Sequence, residues 1–155
     1  MQGYGAKDDS AIVRQYYPHP ITNVSCTASP EDKSAAVQLV HDLLIGINLV
    51  AAAEAVGFAR HLQVDFGQFY DLVSNAAGAS RVFNEKAKEM TGDGSGSGSG
   101  QSLDEATAKL ETVVQKARDM HVPLHLGNAA LNVLFLARRR GVGESASTAV
   151  MQAFA

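Results

Sequence analysis

Tryptophan is absent from this chain of 155 residues, and cysteine occurs once, at Cys26. A single thiol excludes an intrachain disulfide and a cysteine-built zinc site, and it suits a reducing, cytoplasmic setting. An excess of either charge is also missing. With 13 basic and 16 acidic residues the formal net charge is -3, which leaves no electrostatic footprint for nucleic acid. The one cationic cluster, Arg138–Arg140, reads as the last turn of a helix, where cations oppose the helix dipole. Strict apolar–polar alternation is nowhere convincing, so strands are not expected and the fold class is all-α. A membrane-length apolar run is lacking too. The longest, Leu43–Ala59, is interrupted by Asn48 and Glu54 and falls short of the roughly 20 residues of a bilayer span. Met1–Ser10 is polar and does not resemble a secretory leader.

What the chain has is alanine-rich apolar sequence, 46% of the total, in helical patterns. Ser34–Leu62 carries the strongest of these. Val37, Val40, Leu44, Ile47 and Ala51 recur at helical spacing and Leu43 and Val50 widen the stripe, which is expected to face inward. Glu31 and Asp32 follow Pro30 near the positive end. At about 1.5 Å per residue the helix would be roughly 40 Å long. It reads as the central post of a bundle, packed on most sides. Phe66–Asn75, with Phe69, Leu72 and Val73 on one face, and Ser80–Met90 are expected to be shorter helices. Ser102 and Glu105 form a capping-box pattern opening a fourth. That helix runs to about Met120 with Leu103, Ala106, Leu110, Val113, Val114 and Ala117 inward. Beyond Pro123, Leu126–Arg140 and Ser145–Phe154 complete the set, with Gly141 and Gly143 between them.

Two further features concern organisation. Gly94–Gly100 alternates glycine and serine. Such a repeat is a flexible coil with nothing to bury and reads as an artificial linker. The two ends of the chain also match. Gly3-Tyr4-Gly5, a four-residue spacer and Ser10-Ala11-Ile12-Val13-Arg14-Gln15-Tyr16 parallel Gly141-Val142-Gly143, the same spacer and Thr148-Ala149-Val150-Met151-Gln152-Ala153-Phe154. One terminal motif is therefore expected twice, as in a tandem parent protein. The domain reading is 1–17, the tail of a preceding repeat; 18–33, a connector; and 34–155, a helical domain interrupted at 94–100.

The run Val37-Gln38-Leu39-Val40-His41-Asp42-Leu43-Leu44, then Gly46 and Ala51-Ala52-Ala53-Glu54-Ala55, resembles the C-terminal helical domain of the β-hydroxyacid dehydrogenases. That family includes 3-hydroxyisobutyrate and L-threonate dehydrogenases. Ala76-Ala77-Gly78-Ala79-Ser80 with Phe83, and Val122-Pro123-Leu124 with Leu126, are similar to two of its turns. Gly3-Tyr4-Gly5 with Asp8-Asp9-Ser10-Ala11 is similar to the threonate-type end. The resemblance implies a helical bundle around one long helix, like the C-terminal domain of 6-phosphogluconate dehydrogenase. It also implies a preceding Rossmann domain that binds NAD or NADP. No Gly-x-Gly-x-x-Gly follows a strand pattern here, so no cofactor is expected on this chain itself. The family's catalytic lysine corresponds to Gln38, and its polar pair to His41 and Asp42. Glutamine offers an amide donor but no titratable proton or charge. Lys33, five residues earlier, lies about 140° around the helix and is a poor substitute. The family's Lys-Asp-Leu beside the cofactor corresponds to Ala108-Lys109-Leu110, so both polar members have changed.

Other constellations are weaker. His121 and His125 lie four apart, but Pro123 breaks the helix between them and no third metal ligand is apparent, so no metal is expected. Glu54 sits on the alanine-rich stripe and is expected to be buried among polar partners. His19, Ser25 and Cys26 fall in a stretch marked as an extended connector by Pro18 and Pro20. The leading functional expectation is a non-catalytic domain that dimerises or packs against a sister domain. The alternative is a substrate-pocket domain acting through His41, Asp42 and Ser80 in an NAD-dependent enzyme for a small hydroxy acid.

Overall fold

The computed structural model describes residues 30–91 and 100–154; the repeat-like tail 1–17, connector residues 18–29, Gly94–Ser99 and the His19/Ser25/Cys26 group lie outside them. Five α-helices and one 3₁₀ helix follow in order: α1 (Pro30–His61), α2 (Phe66–Ser74), α3 (Arg81–Met90), α4 (Leu103–Asp119), α5 (His125–Arg138) and the 3₁₀ helix Ser147–Phe154. No β-strand occurs among the described residues; the one strand-like contact is an isolated bridge, Ser102 to Ala146.

α1 is the axis, and α3, α4, α5 and the 3₁₀ helix all pack on it. It does so through small residues. Ala52, Ala53 and Val56 are buried, and Gly46 and Gly57 are covered. Gly46 is where α4 comes closest: a Cβ there would stand 3.0 Å from the Leu110 side chain. Leu103, Leu110, Leu134, Val56, Val114 and Val150 are fully enclosed and form the centre of the core. A second cluster holds α2 to α3. Phe83 meets Phe69 edge-on at 5.7 Å and stacks with Tyr70 at 5.9 Å between ring centroids.

The ends of the helices follow their local chemistry. Asp65 caps α2 by accepting from Gln68 N, and Ser80 caps α3 by accepting from Phe83 N. Ser102 and Glu105 make both hydrogen bonds of the capping box on α4. Gly141 adopts φ +81, and a Cβ on Gly143 would lie 2.5 Å from the Asp104 carboxylate oxygens. The Gly-x-Gly after α5 therefore serves a left-handed turn and a close approach. Asp104 in turn pairs with Arg138 at 2.5 Å, across α4 and α5.

Four expectations change. Val37, Val40, Leu44 and Ala51 face outward, not inward, as does Leu72. Glu54 is exposed. The last helix is 3₁₀ and starts at Ser147. Finally, Ser34–His61 is long and apolar enough to cross a membrane by length and composition, and only 22% of its most apolar window is buried. Its contacts with α3, α4, α5 and the 3₁₀ helix make it the bundle's core helix, although much of its surface is uncovered.

Candidate functional site

Gln38, His41 and Asp42 sit on the first turns of α1. At 100° per residue, Gln38 lies in line with Val56, and Asp42 within about 20° of Leu49 and Ala53. The polar cluster thus prolongs the core-facing line of α1 toward its N-terminal end. The Asp42 side chain is 15% exposed, and that of His41 is 62% exposed. Gln38 Nε2 donates to Asp42 Oδ1 at 2.8 Å and lies 3.4 Å from His41 Nδ1. His41 Nδ1 is 3.7 Å from the same Asp42 oxygen, beyond hydrogen-bond length. The sequence neighbours therefore do converge, and the amide of Gln38 is their hub. What they offer is an amide donor, a carboxylate and an imidazole. A fixed cation, such as the lysine that the family resemblance puts at position 38, is not part of the cluster.

The remaining site positions are elsewhere. The Ser80 hydroxyl is engaged as the α3 cap, and no hydrogen bond joins it to His41 or Asp42 among the described residues. Ala108 and Lys109 are exposed on α4, next to the buried Leu110 that packs on Gly46. Ala108 has no side-chain donor or acceptor, and Lys109 brings a cation where the resemblance expects a carboxylate. Buried side-chain atoms without a partner include Asn84 Oδ1 and Gln101 Nε2, neither of them in this group. Ala108 and Lys109 therefore do not fit the cofactor-side pattern that the resemblance implies. His121 lies in the turn after α4 with φ 58, and His125 opens α5. No group of three metal-ligating side chains occurs among the described residues.

Two surface features were not recognised in the sequence. The first is an apolar stripe opposite the core on α1 and the turn residue after it: Val37, Val40, Leu44, Phe58 and Leu62, each more than half exposed, with Ala51 on the same line. The second is an apolar groove of about 240 Å³ between α1 and α4, lined by Ala36, Leu39, Leu43, Val113, Ala117 and Met120 among others. The spacing of the stripe residues was legible; the side they face was not.

Among the described residues the fold is a strand-free bundle hung on one long helix, with a polar cluster on that helix's first turns. The chain belongs to the family described as NAD-binding of NADP-dependent 3-hydroxyisobutyrate dehydrogenase, whose model matches residues 33–154. It is 32% identical to an L-threonate dehydrogenase of Pectobacterium atrosepticum over 120 residues, 77% of this chain and 39% of that protein. The L-threonate dehydrogenase of Haemophilus influenzae is 33% identical over the same shares. A crystal structure of 3-hydroxyisobutyrate dehydrogenase from Salmonella typhimurium superposes with a TM-score of 0.69 at 30% identity, covering 76% of this chain and 40% of the other. The chain therefore spans about two fifths of the length of these relatives.

Proposed function

We propose that this chain is an assembly domain: the helical half of a dehydrogenase, keeping the scaffold and not the chemistry. The observation that carries the reading is the outward stripe of α1, Val37 to Leu62, which runs for about 38 Å with no described element on it. Apolar residues at 3–4 spacing along one helix face are the pattern of a helix–helix seam. The occupant is a second copy of the chain, giving an isologous contact; a sister domain of a tandem parent is the competing partner. Gln38 supports the non-catalytic part, since an amide cannot exchange a proton with a substrate oxygen near neutral pH. In the longer parent NAD or NADP belongs to a separate domain. Neither nucleic acid nor membrane is a partner, and the setting is cytoplasmic.

Light scattering across a concentration series tests this. The expected mass is twice the 16.3 kDa of the chain, falling to one copy in Val40→Glu/Leu44→Glu with unchanged helicity. A monomer at every concentration refutes the self-association.

The convergence of Gln38, His41 and Asp42 favours a second reading. Here the domain would supply part of a substrate pocket, with Ser80, in an NAD-dependent enzyme for a small hydroxy acid such as 3-hydroxyisobutyrate or L-threonate. Changes at position 38, Gln38→Lys and Gln38→Ala, separate the two readings in a full-length parent. Unaltered activity in both assigns no chemistry to this domain.

A further inference from the structure

We infer that the apolar groove between α1 and α4 is the seat of the chain's own N-terminal segment, Ser10–Tyr16. The groove is lined almost wholly by apolar side chains, and its α1 wall, Ala36 to Leu43, starts six residues after Pro30. Its occupant is indicated by the other end of the chain. Thr148–Phe154 matches Ser10–Tyr16 position for position, and it shows what this motif does when seated. Val150 is fully buried, and Met151 and Phe154 pack against the core, with Phe154 Cβ 3.4 Å from the Cβ position of Gly57. The corresponding residues are Ile12, Val13 and Tyr16, an i, i+1, i+4 set that forms one apolar edge on a short helix.

Size and reach agree. Seven residues make a helix of about 10–14 Å, depending on whether it is α or 3₁₀. The α1 wall from Ala36 to Leu43 is about 10 Å long. Residues 17–29 connect the segment to α1 and extend to about 47 Å at most. The groove lies within about 20 Å of Pro30 along the helix axis, so the chain folds back with slack. Lys116 on the groove's α4 wall has counter-charges available in Asp8 and Asp9, just ahead of the segment. The groove lies on the α4 side of α1, and the outward stripe lies on the side away from the core. Val40 borders both. The inference goes beyond the assembly reading and does not depend on it.

The test uses the whole chain. A nitroxide on Gln15→Cys, with Cys26→Ser to remove the native thiol, reports proximity through broadening of methyl signals. Diluting the labelled chain into excess unlabelled chain keeps only intramolecular effects. The expected result is loss of the Leu39, Leu43, Val113 and Val122 methyl signals, restored by Ile12→Asp/Tyr16→Asp. Light scattering should give that double variant the same mass as the parent chain. Signals unaffected by the nitroxide overturn the proposal. So does broadening that disappears on dilution, because the segment would then seat on another copy. Ala117→Arg, which fills the groove from the α4 wall, should also restore the signals; persistent broadening there places the segment elsewhere.

Discussion

The crossing of α1 and α4 can be tested by a double-mutant cycle at Gly46 and Leu110. A methyl on Gly46 would stand 3.0, 3.1 and 3.3 Å from Cδ2, Cδ1 and Cγ of Leu110, tighter than ordinary van der Waals contact. Leu110 is fully buried and cannot swing into solvent. Overpacking of this kind costs about 1–3 kcal/mol, while replacing glycine by alanine inside a helix returns about 1 kcal/mol. Gly46→Ala should therefore destabilise by about 0–2 kcal/mol. Leu110→Ala empties an enclosed site and should cost about 2–5 kcal/mol. In the double variant the truncation of Leu110 removes the atoms the added methyl would clash with, and that methyl fills part of the cavity. Its loss should then be smaller than the sum of the single losses by about 1 kcal/mol or more. Urea unfolding followed by circular dichroism measures all four corners. Additivity to within about 0.5 kcal/mol would mean that the two residues do not touch, and the close crossing would be wrong.

Ser102→Ala removes one arm of the capping box and should cost about 1 kcal/mol in the same unfolding assay, with Glu105→Ala adding little once the serine is gone. Phe83→Ala takes the central ring from the cluster with Phe69 and Tyr70 and should cost about 3–5 kcal/mol, with loss of the near-ultraviolet aromatic signal. His121 holds a left-handed backbone, φ 58, that strains any side chain. His121→Gly should raise the melting temperature, reflecting about 1 kcal/mol; a fall would assign the imidazole a stabilising contact.

Much of the fold was readable because helix ends have local causes. The Ser102–Glu105 pair, the serine before Arg81 and the glycines after α5 each act within a few residues, and the bounds they set hold to within a residue or two. Burial inside α4 was legible for a similar reason. Leu103, Ala106, Leu110, Val113 and Val114 stand against a polar opposite face, so the apolar side can only be the inner one. The 3₁₀ geometry of Ser147–Phe154 was not legible, because its apolar positions fit either helix over so short a span. Of the candidate site, the sequence put Gln38, His41 and Asp42 on neighbouring turns, and their contacts follow from i, i+3 and i, i+4 spacing. Their distance from Ser80 and Lys109 depends on tertiary packing.

α1 is where the reading failed in part, since Val50 is buried and Leu43 and Ile47 pack on the core but Val37, Val40, Leu44 and Ala51 do not, and the reason bears on function. The helix is apolar nearly all round, so periodicity marks a helix without marking its inner side. Ranking by size then favours valine, leucine and phenylalanine for the core. The bundle instead buries the small side, Gly46, Ala52, Ala53 and Gly57, because α4 and the 3₁₀ helix approach the α1 backbone closely. Leu49, Val50 and Val56 are buried with them, while Val37, Val40, Leu44, Phe58 and Leu62 are left outside. Isolated exposed apolar residues are ordinary on a protein surface, but these fall on one line from Val37 to Leu62. Random drift would scatter them around the uncovered arc and mix them with charge. Within that line Glu54 is the one acidic neighbour, exposed at its edge. A long exposed apolar seam would promote indiscriminate association unless a specific partner covered it. Val37, Val40 and Leu44, assigned inward from the sequence, are thus, with Phe58 and Leu62, the strongest structural support for the assembly reading.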